Sequence, residues 1–175
     1  MLAVVVIAGL VGFLVYRFNF VDEGAPNDKV SIYLVCSSSE PQEYVLLDDA
    51  DNNIKYESRV MLINDEIYRV NFVVSERFSN EKSAKAFTDR LYGAYNKYLG
   101  KNEIPQKDII MTVTNVDNVG KMVISVEGGK YGNKMAPIMM LDGVDKAADS
   151  ETIKEKYEKS GFACGVDEQD MVLSD

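Results

Sequence analysis

The first sixteen residues, MLAVVVIAGLVGFLVY, carry no charged side chain, and the Tyr16 hydroxyl is their only strong side-chain hydrogen-bonding group. Such a stretch has few folded destinations. A helix that is apolar on every side belongs in a bilayer or deep in a large core, because a surface helix keeps one polar face. Spanning a bilayer takes about 20 apolar residues at ~1.5 Å of rise each. Residues 1–16 fall short of that. Arg17 is long enough to snorkel its charge to the headgroups, while Phe18, Phe20 and Val21 prolong the apolar surface. Counted through Val21, the segment reaches roughly 31 Å. The expected organisation is a transmembrane anchor over 1–21 and a polar linker with Gly and Pro over 22–28 (DEGAPND). One domain over 29–166 and an acidic tail over 167–175 complete it. The run is followed by neither a small-x-small cleavage site nor a cysteine for lipid attachment.

Two signals disagree about the side of the membrane. Arg17 is the only basic residue near the anchor, and Asp22 and Glu23 follow it, so the positive-inside rule read literally turns the domain inward. The cysteines argue the other way. Cys36 ends the first predicted strand and Cys164 follows the last predicted helix, so a bond between them would tie the two ends of the domain together. Such bonds persist in oxidising compartments, where a loop of that length contributes ~2–4 kcal/mol. Two separate buried thiols are the alternative. The expectation is an extracytoplasmic domain with a Cys36–Cys164 disulfide.

A net charge of −9 repels phosphate backbones, so nucleic acid is excluded as a partner. The chain contains no His, which removes Ser-His-Asp and Cys-His machinery and imidazole zinc sites.

Within the domain, 29–36 (KVSIYLVC) and 43–48 (EYVLLD) read as strands separated by a turn. Over 53–63 the residues alternate cleanly: Ile54, Tyr56, Ser58, Val60 and Leu62 share one face, and Lys55, Glu57, Arg59 and Met61 the other. A turn at Asn64-Asp65-Glu66 returns the chain as an antiparallel strand over 67–75 (IYRVNFVVS). The main helix is expected over 80–99, with Ser79 as N-cap and Gly100 as its left-handed stop. Ala84, Phe87, Leu91, Ala94, Tyr95 and Tyr98 form its apolar stripe, which must cover a sheet. Strands over 108–115 (DIIMTVTN) and 121–127 (KMVISVE) flank a hairpin turn containing Asp117 and Asn118. The apolar run 135–141 (MAPIMML) contains Pro137 and reads as an edge strand or an irregular core segment. A short charged helix over 150–160 (SETIKEKYEKS) buries Ile153 and Tyr157 and stops at Gly161. The fold class is α+β: a curved, mainly antiparallel sheet of about six strands covered by one long helix, plus a short C-terminal helix.

The most site-like cluster is Asp48-Asp49-Ala50-Asp51-Asn52-Asn53. Asp49, Asp51 and Asn53 have the odd-position spacing of a calcium loop, so they are the metal candidates and calcium the candidate cofactor. The pattern then breaks, with Ile54 where Gly is needed and Val60 where a bidentate Glu belongs; an acidic hairpin turn explains the same residues. The loop 128–134 (GGKYGNK) offers backbone N–H groups and two ammonium groups to an anion, but lacks the Gly-Lys-Ser/Thr order of a nucleotide loop. Asp65 with Glu66, and Asp170 with Asp175, are carboxylate pairs that nothing in the sequence positions.

The segments 68–75, 79–99, 122–127 and 150–164 (SETIKEKYEKSGFAC) carry a family likeness. A meander, one long helix, a hairpin and a short helix running into Gly-aromatic-x-Cys resemble the small bacterial YehR-like lipoproteins. The resemblance implies an α+β domain at the outer face of a cell membrane and supplies no catalytic residue. This chain departs from it in lacking the lipid-carrying Cys.

Three functional expectations follow. The first is a non-enzymatic envelope or surface protein that binds another protein or a surface polymer through an apolar patch or groove on the sheet. The second is a carboxylate- or metal-dependent enzyme or solute-binding domain, in which Asp49, Asp51 or Glu57 converge in a pocket. The third is a scaffold with the domain facing the cytoplasm.

Overall fold

The structure is a computed structural model and describes residues 31–39, 43–47 and 53–166. The expected anchor, linker and acidic tail lie outside the described residues. Among the described residues, no helix is long and apolar enough to cross a membrane.

Six strands form one antiparallel sheet: β1 (Ser31–Ser38), β2 (Lys55–Ile63), β3 (Glu66–Arg77), β4 (Ile110–Val116), β5 (Val119–Glu127) and β6 (Ala163–Val166), in spatial order β4-β5-β3-β2-β1-β6. Two hairpins set the register. Asn64 and Asp65 (φ 53° and 58°) turn β2 into β3, and Asp117 and Asn118 (φ 52° and 61°) turn β4 into β5. A two-residue loop with both residues left-handed matches the twist of the strands that it joins, and Asn and Asp tolerate that conformation best. The alternation expected over 53–63 holds as far as Val60, with Ile54, Tyr56, Ser58 and Val60 fully buried on the inner face; beyond it Met61, Leu62 and Ile63 are all buried, so Met61 does not follow the pattern. Between β2 and β3 the register shifts, Met61 facing Arg69 and Leu62 facing Ile67, so Tyr68 is the extra residue of a bulge.

Among the described residues, both α-helices pack on the inner face. Helix α1 (Glu81–Asn102) starts at Asn80, whose Oδ1 accepts from the Ser83 N–H at 2.9 Å. Asn80, not Ser79, is therefore the N-cap. Gly100 does not stop the helix; it runs two residues further, and Glu103 takes the left-handed position (φ 53°). Ala84, Phe87, Leu91, Tyr95 and Leu99 are buried. The helix approaches β5 so closely that a Cβ on Gly120 would stand 2.8 Å from the Ala84 carbonyl oxygen and 2.9 Å from Phe87 Cδ1. Helix α2 (Ser150–Lys159) is capped by Asp149, which accepts from the Thr152 N–H at 2.8 Å; that bond holds the Asp149 carboxyl below its usual range. Its buried residues are Ile153 and Tyr157, and Gly161 follows in the left-handed region.

One expected strand is corrected, one strand was not foreseen, and one segment is decided between its two expected forms. Residues 43–47 are not a strand: the chain turns there, with the Leu47 N–H donating to the Tyr44 carbonyl at 2.8 Å. Tyr44 and Leu46 are buried, which explains the alternating pattern, but both sides of β1 are already occupied by β2 and β6. The short strand β6 lies where the sequence reading placed only the approach to the tail. The run 135–141 is the irregular core segment and not an edge strand, with a 3-10 helix at Ala136–Met139 and Met140 left-handed at φ 56°.

That irregular stretch, 128–148, lies deep in the fold: Met135, Ala136, Ile138, Met139 and Leu141 are all buried. Buried backbone carbonyls outside regular structure need partners. Tyrosines supply them. Tyr44 donates to Ile138 O (2.9 Å), Tyr157 to Met139 O (2.7 Å) and Tyr131 to Val144 O (3.1 Å), and at the exposed margin Tyr98 donates to Lys134 O (2.8 Å). The Lys134 ammonium returns the contact by donating to Asn102 O at 2.8 Å, at the end of α1.

Candidate functional site

With both helices on the inner face, the other face of the sheet carries none of them. Its paired positions run Ser37-Glu57-Val73-Val123-Thr112 and, beside them, Val35-Arg59-Asn71-Ser125-Ile110. The result is an apolar strip of Val35, Val73 and Val123 set among hydroxyl, amide and charged groups. Val73 is buried, and Val35 and Val123 are half-buried. Arg59 Nε donates to Glu57 Oε1 at 2.8 Å, so the charges on this face are partly neutralised in place. Across these two rows the outward groups are valines, serines, a threonine, an isoleucine and an asparagine, with Glu57 and Arg59 as the charged pair.

The face ends at β4, the sheet edge. Its outward residues include Ile110 (61% exposed) and Val116 (64%), and Val113 on the inner side is 37% exposed. One turn of α1 packs over the inner face of β4, where the Thr88 hydroxyl meets Asn115 Oδ1 at 3.0 Å. Tyr92, one turn further along the same side of α1, is 47% exposed.

A small cleft of about 260 Å³ opens at the far end of the central strands, lined by Ile63, Glu66, Ile67, Tyr68, Glu127, Gly128, Gly129 and Lys146. Its floor depends on Gly128, whose N–H donates to the Tyr68 carbonyl at 2.6 Å; a Cβ there would fall 1.8 Å from the Ile67 carbonyl oxygen. Ion pairs cross its rim: Lys146 with Glu66 at 3.3 Å and Arg69 with Glu127 at 3.8 Å. Both are solvent-accessible pairs, a type worth ~0–1 kcal/mol.

Each sequence-predicted site residue has a definite position or lies outside the description. Cys36 and Cys164 stand directly opposite one another on β1 and β6 and are bonded, with S–S 2.04 Å and Cα–Cα 4.1 Å. Asp49 and Asp51 lie outside the described residues; Asn53 is exposed in the turn before β2. Glu57 sits on the open face with Arg59. Glu66 pairs with Lys146, and its neighbour Asp65 occupies the hairpin turn. Asp170 and Asp175 lie outside the described residues. In the glycine-rich loop, Lys130 pairs with Asp108 at 3.1 Å and Lys134 is held by Asn102 O, so both ammonium groups serve the fold. Among the described residues, no group of three or more His, Cys, Asp or Glu side chains could hold a metal ion.

Apart from the capping Asp149, the perturbed acids among the described residues are tyrosines. Burial pushes Tyr44 and Tyr157 well above the ordinary phenol range; for Tyr157 the Ser58 hydrogen bond opposes that rise. Burial likewise raises Tyr95, to about 12, and Tyr131, where Asp145 and Asp142 add to the effect. Tyr44, Tyr131 and Tyr157 donate to buried carbonyls, and Tyr95 lies on the buried face of α1.

Sequence reasoning missed the open β4 edge. The signal was present as IMTVTNV, seven residues without a charge, but edge position depends on which strands find neighbours.

No family model and no curated protein matches this chain. Among solved structures, an NMR structure of a protein from Streptococcus pneumoniae TIGR4 is similar, with a TM-score of 0.43 and 10% sequence identity, covering 84% of this chain and 90% of that one.

Proposed function

We propose that this chain is a non-enzymatic binding domain held at the extracytoplasmic face of a cell membrane by residues 1–21, taking a protein or surface polymer on the open face of its sheet. The observation that carries the location is the Cys36–Cys164 bond, which closes a loop with a sequence separation of 128. A structural disulfide spanning nearly a whole domain belongs to an oxidising compartment, where thiols are not kept reduced. The uncharged apolar run over 1–16, prolonged past a snorkelling Arg17 to Val21, supplies the attachment. The binding role rests on the open face, where an apolar strip is bordered by hydrogen-bonding groups, the make-up of a modest contact surface. The YehR-like resemblance fits the same location.

The test is the redox state of both cysteines in protein taken from its native membrane, by thiol labelling with and without reductant. Labelling only after reduction is expected. Two thiols that label without reductant would turn the domain toward the cytoplasm and overturn the proposed location.

A further inference from the structure

We propose that β4 pairs edge to edge with β4 of a second copy of this chain, antiparallel about Val113, joining two six-stranded sheets into one. The first argument is that the edge is unprotected. Soluble sheets guard their edges with Lys, Pro, bulges or very short strands. Strand β4 has none of these: Ile110–Val116 contains no charge and no Pro, and its register with β5 is regular from Ile110↔Ser125 to Val116↔Val119. Among the described residues, β5 is its only strand neighbour. The opposite edge, β6, has four residues and is tied back by the disulfide.

The second argument is that the sequence of β4 is complementary to itself. A two-fold axis at Val113 sets Ile110 against the second copy's Val116, Thr112 against Thr114, Met111 against Asn115, and Val113 against its own copy. Residues that share a face in one copy then meet residues of that same face in the other. The outer-face pairs are two β-branched apolar side chains and two threonines, both favourable across strands. No like charges oppose one another anywhere in the seven-residue register, although each chain carries −9. An unrelated strand would match this pattern only by coincidence; a second copy matches it by symmetry, which is the rule for isologous contacts. Three exposed apolar side chains, Ile110, Val113 and Val116, leave water in the process.

The contact is tested on the full chain in mild detergent. Among the described residues there is no free cysteine, so one added thiol reports cleanly. Under mild oxidation Val113→Cys is expected to cross-link to a dimer. Ile110→Cys and Val116→Cys are each expected to stay uncross-linked alone and to cross-link when mixed. Thr112→Lys/Thr114→Lys places like charges face to face on the solvent side of the strand. By sedimentation it should weaken dimerisation by about tenfold or more, with an unchanged circular dichroism spectrum showing a folded domain. A chain that is monomeric at every concentration with no Val113→Cys cross-link overturns the proposal. So does a dimer that persists in the double-lysine variant, because its contact then runs through the anchor or another surface.

Discussion

Tyr157 shows how one side chain joins three parts of this fold. Its hydroxyl donates to Met139 O at 2.7 Å, so the 2.6 Å contact with Ser58 has the serine as donor. Both residues are fully buried. In Tyr157→Phe, a buried carbonyl and a buried serine hydroxyl each lose a partner, at a cost of ~1–3 kcal/mol. A lower midpoint of urea unfolding with an unchanged slope is the expected result. A midpoint equal to that of the parent chain would mean that water or relaxation replaces both bonds. The buried phenols also fix the response to alkali. The unfolded chain ionises them near the ordinary value of 10.0, whereas the folded state holds Tyr44 and Tyr157 neutral well above it. Folding stability is therefore complete below about pH 10 and falls as pH rises, with a limiting slope of ~1.4 kcal/mol per pH unit for each such tyrosine. Tyr95 adds its share until pH passes its folded value of about 12. Urea midpoints compared at about pH 8 and about pH 11 should drop, and tyrosinate absorbance should rise together with unfolding. Tyrosinate absorbance that rises fully before unfolding would contradict the burial.

The strands and their turns depend on close backbone approach at two glycines, and Gly128 is the stricter. A side chain there would overlap the Ile67 backbone, which belongs to the bulged strand and cannot give way like a flexible side chain. Gly128→Ala should cost ~2–4 kcal/mol, and Gly129→Ala, with nothing within 4 Å of its added carbon, should stay within ~0.5 kcal/mol. The two variants differ by one position, so thermal melting of both isolates the contact from any general effect on the loop. Equal melting temperatures would mean that β3 and β5 slide apart freely at this point. The hairpins were readable in advance because Asn-Asp and Asp-Asn pairs accept the left-handed conformation that their turns require. The strand β6 was not readable: four residues, ACGV, carry little pattern, and their place depends on the free side of β1.

Taken whole, the domain is a two-layer sandwich whose first and last described strands are fastened to each other. Cys36 and Cys164 close almost the entire domain into one loop, and constraining the unfolded chain over that distance is worth ~2–4 kcal/mol. Cys36→Ala/Cys164→Ala should lose that much in urea unfolding. Amide exchange should rise first along β1 and β6, since among the described residues β1 is the only strand beside β6. Exchange rising uniformly across the sheet would show the edge strand to be no weaker than the centre.

The alternation over 53–63, the stripe on α1 and the two hairpin turns are local patterns, and they specified an antiparallel sheet with one long helix before any contact was known. Chemistry that depends on histidine was excluded by composition alone. Which apolar run becomes a strand is a question of vacancy: residues 43–47 have the alternation but no free edge, and 136–139 have the hydrophobicity but are held as a 3-10 turn by phenol hydroxyls arriving from distant positions. The meeting of Cys36 with Cys164 and the exposure of β4 are likewise facts of strand order. Periodicity reports which face of an element is apolar; only packing assigns that element its neighbours and, among the described residues, makes β4 and β6 the edges.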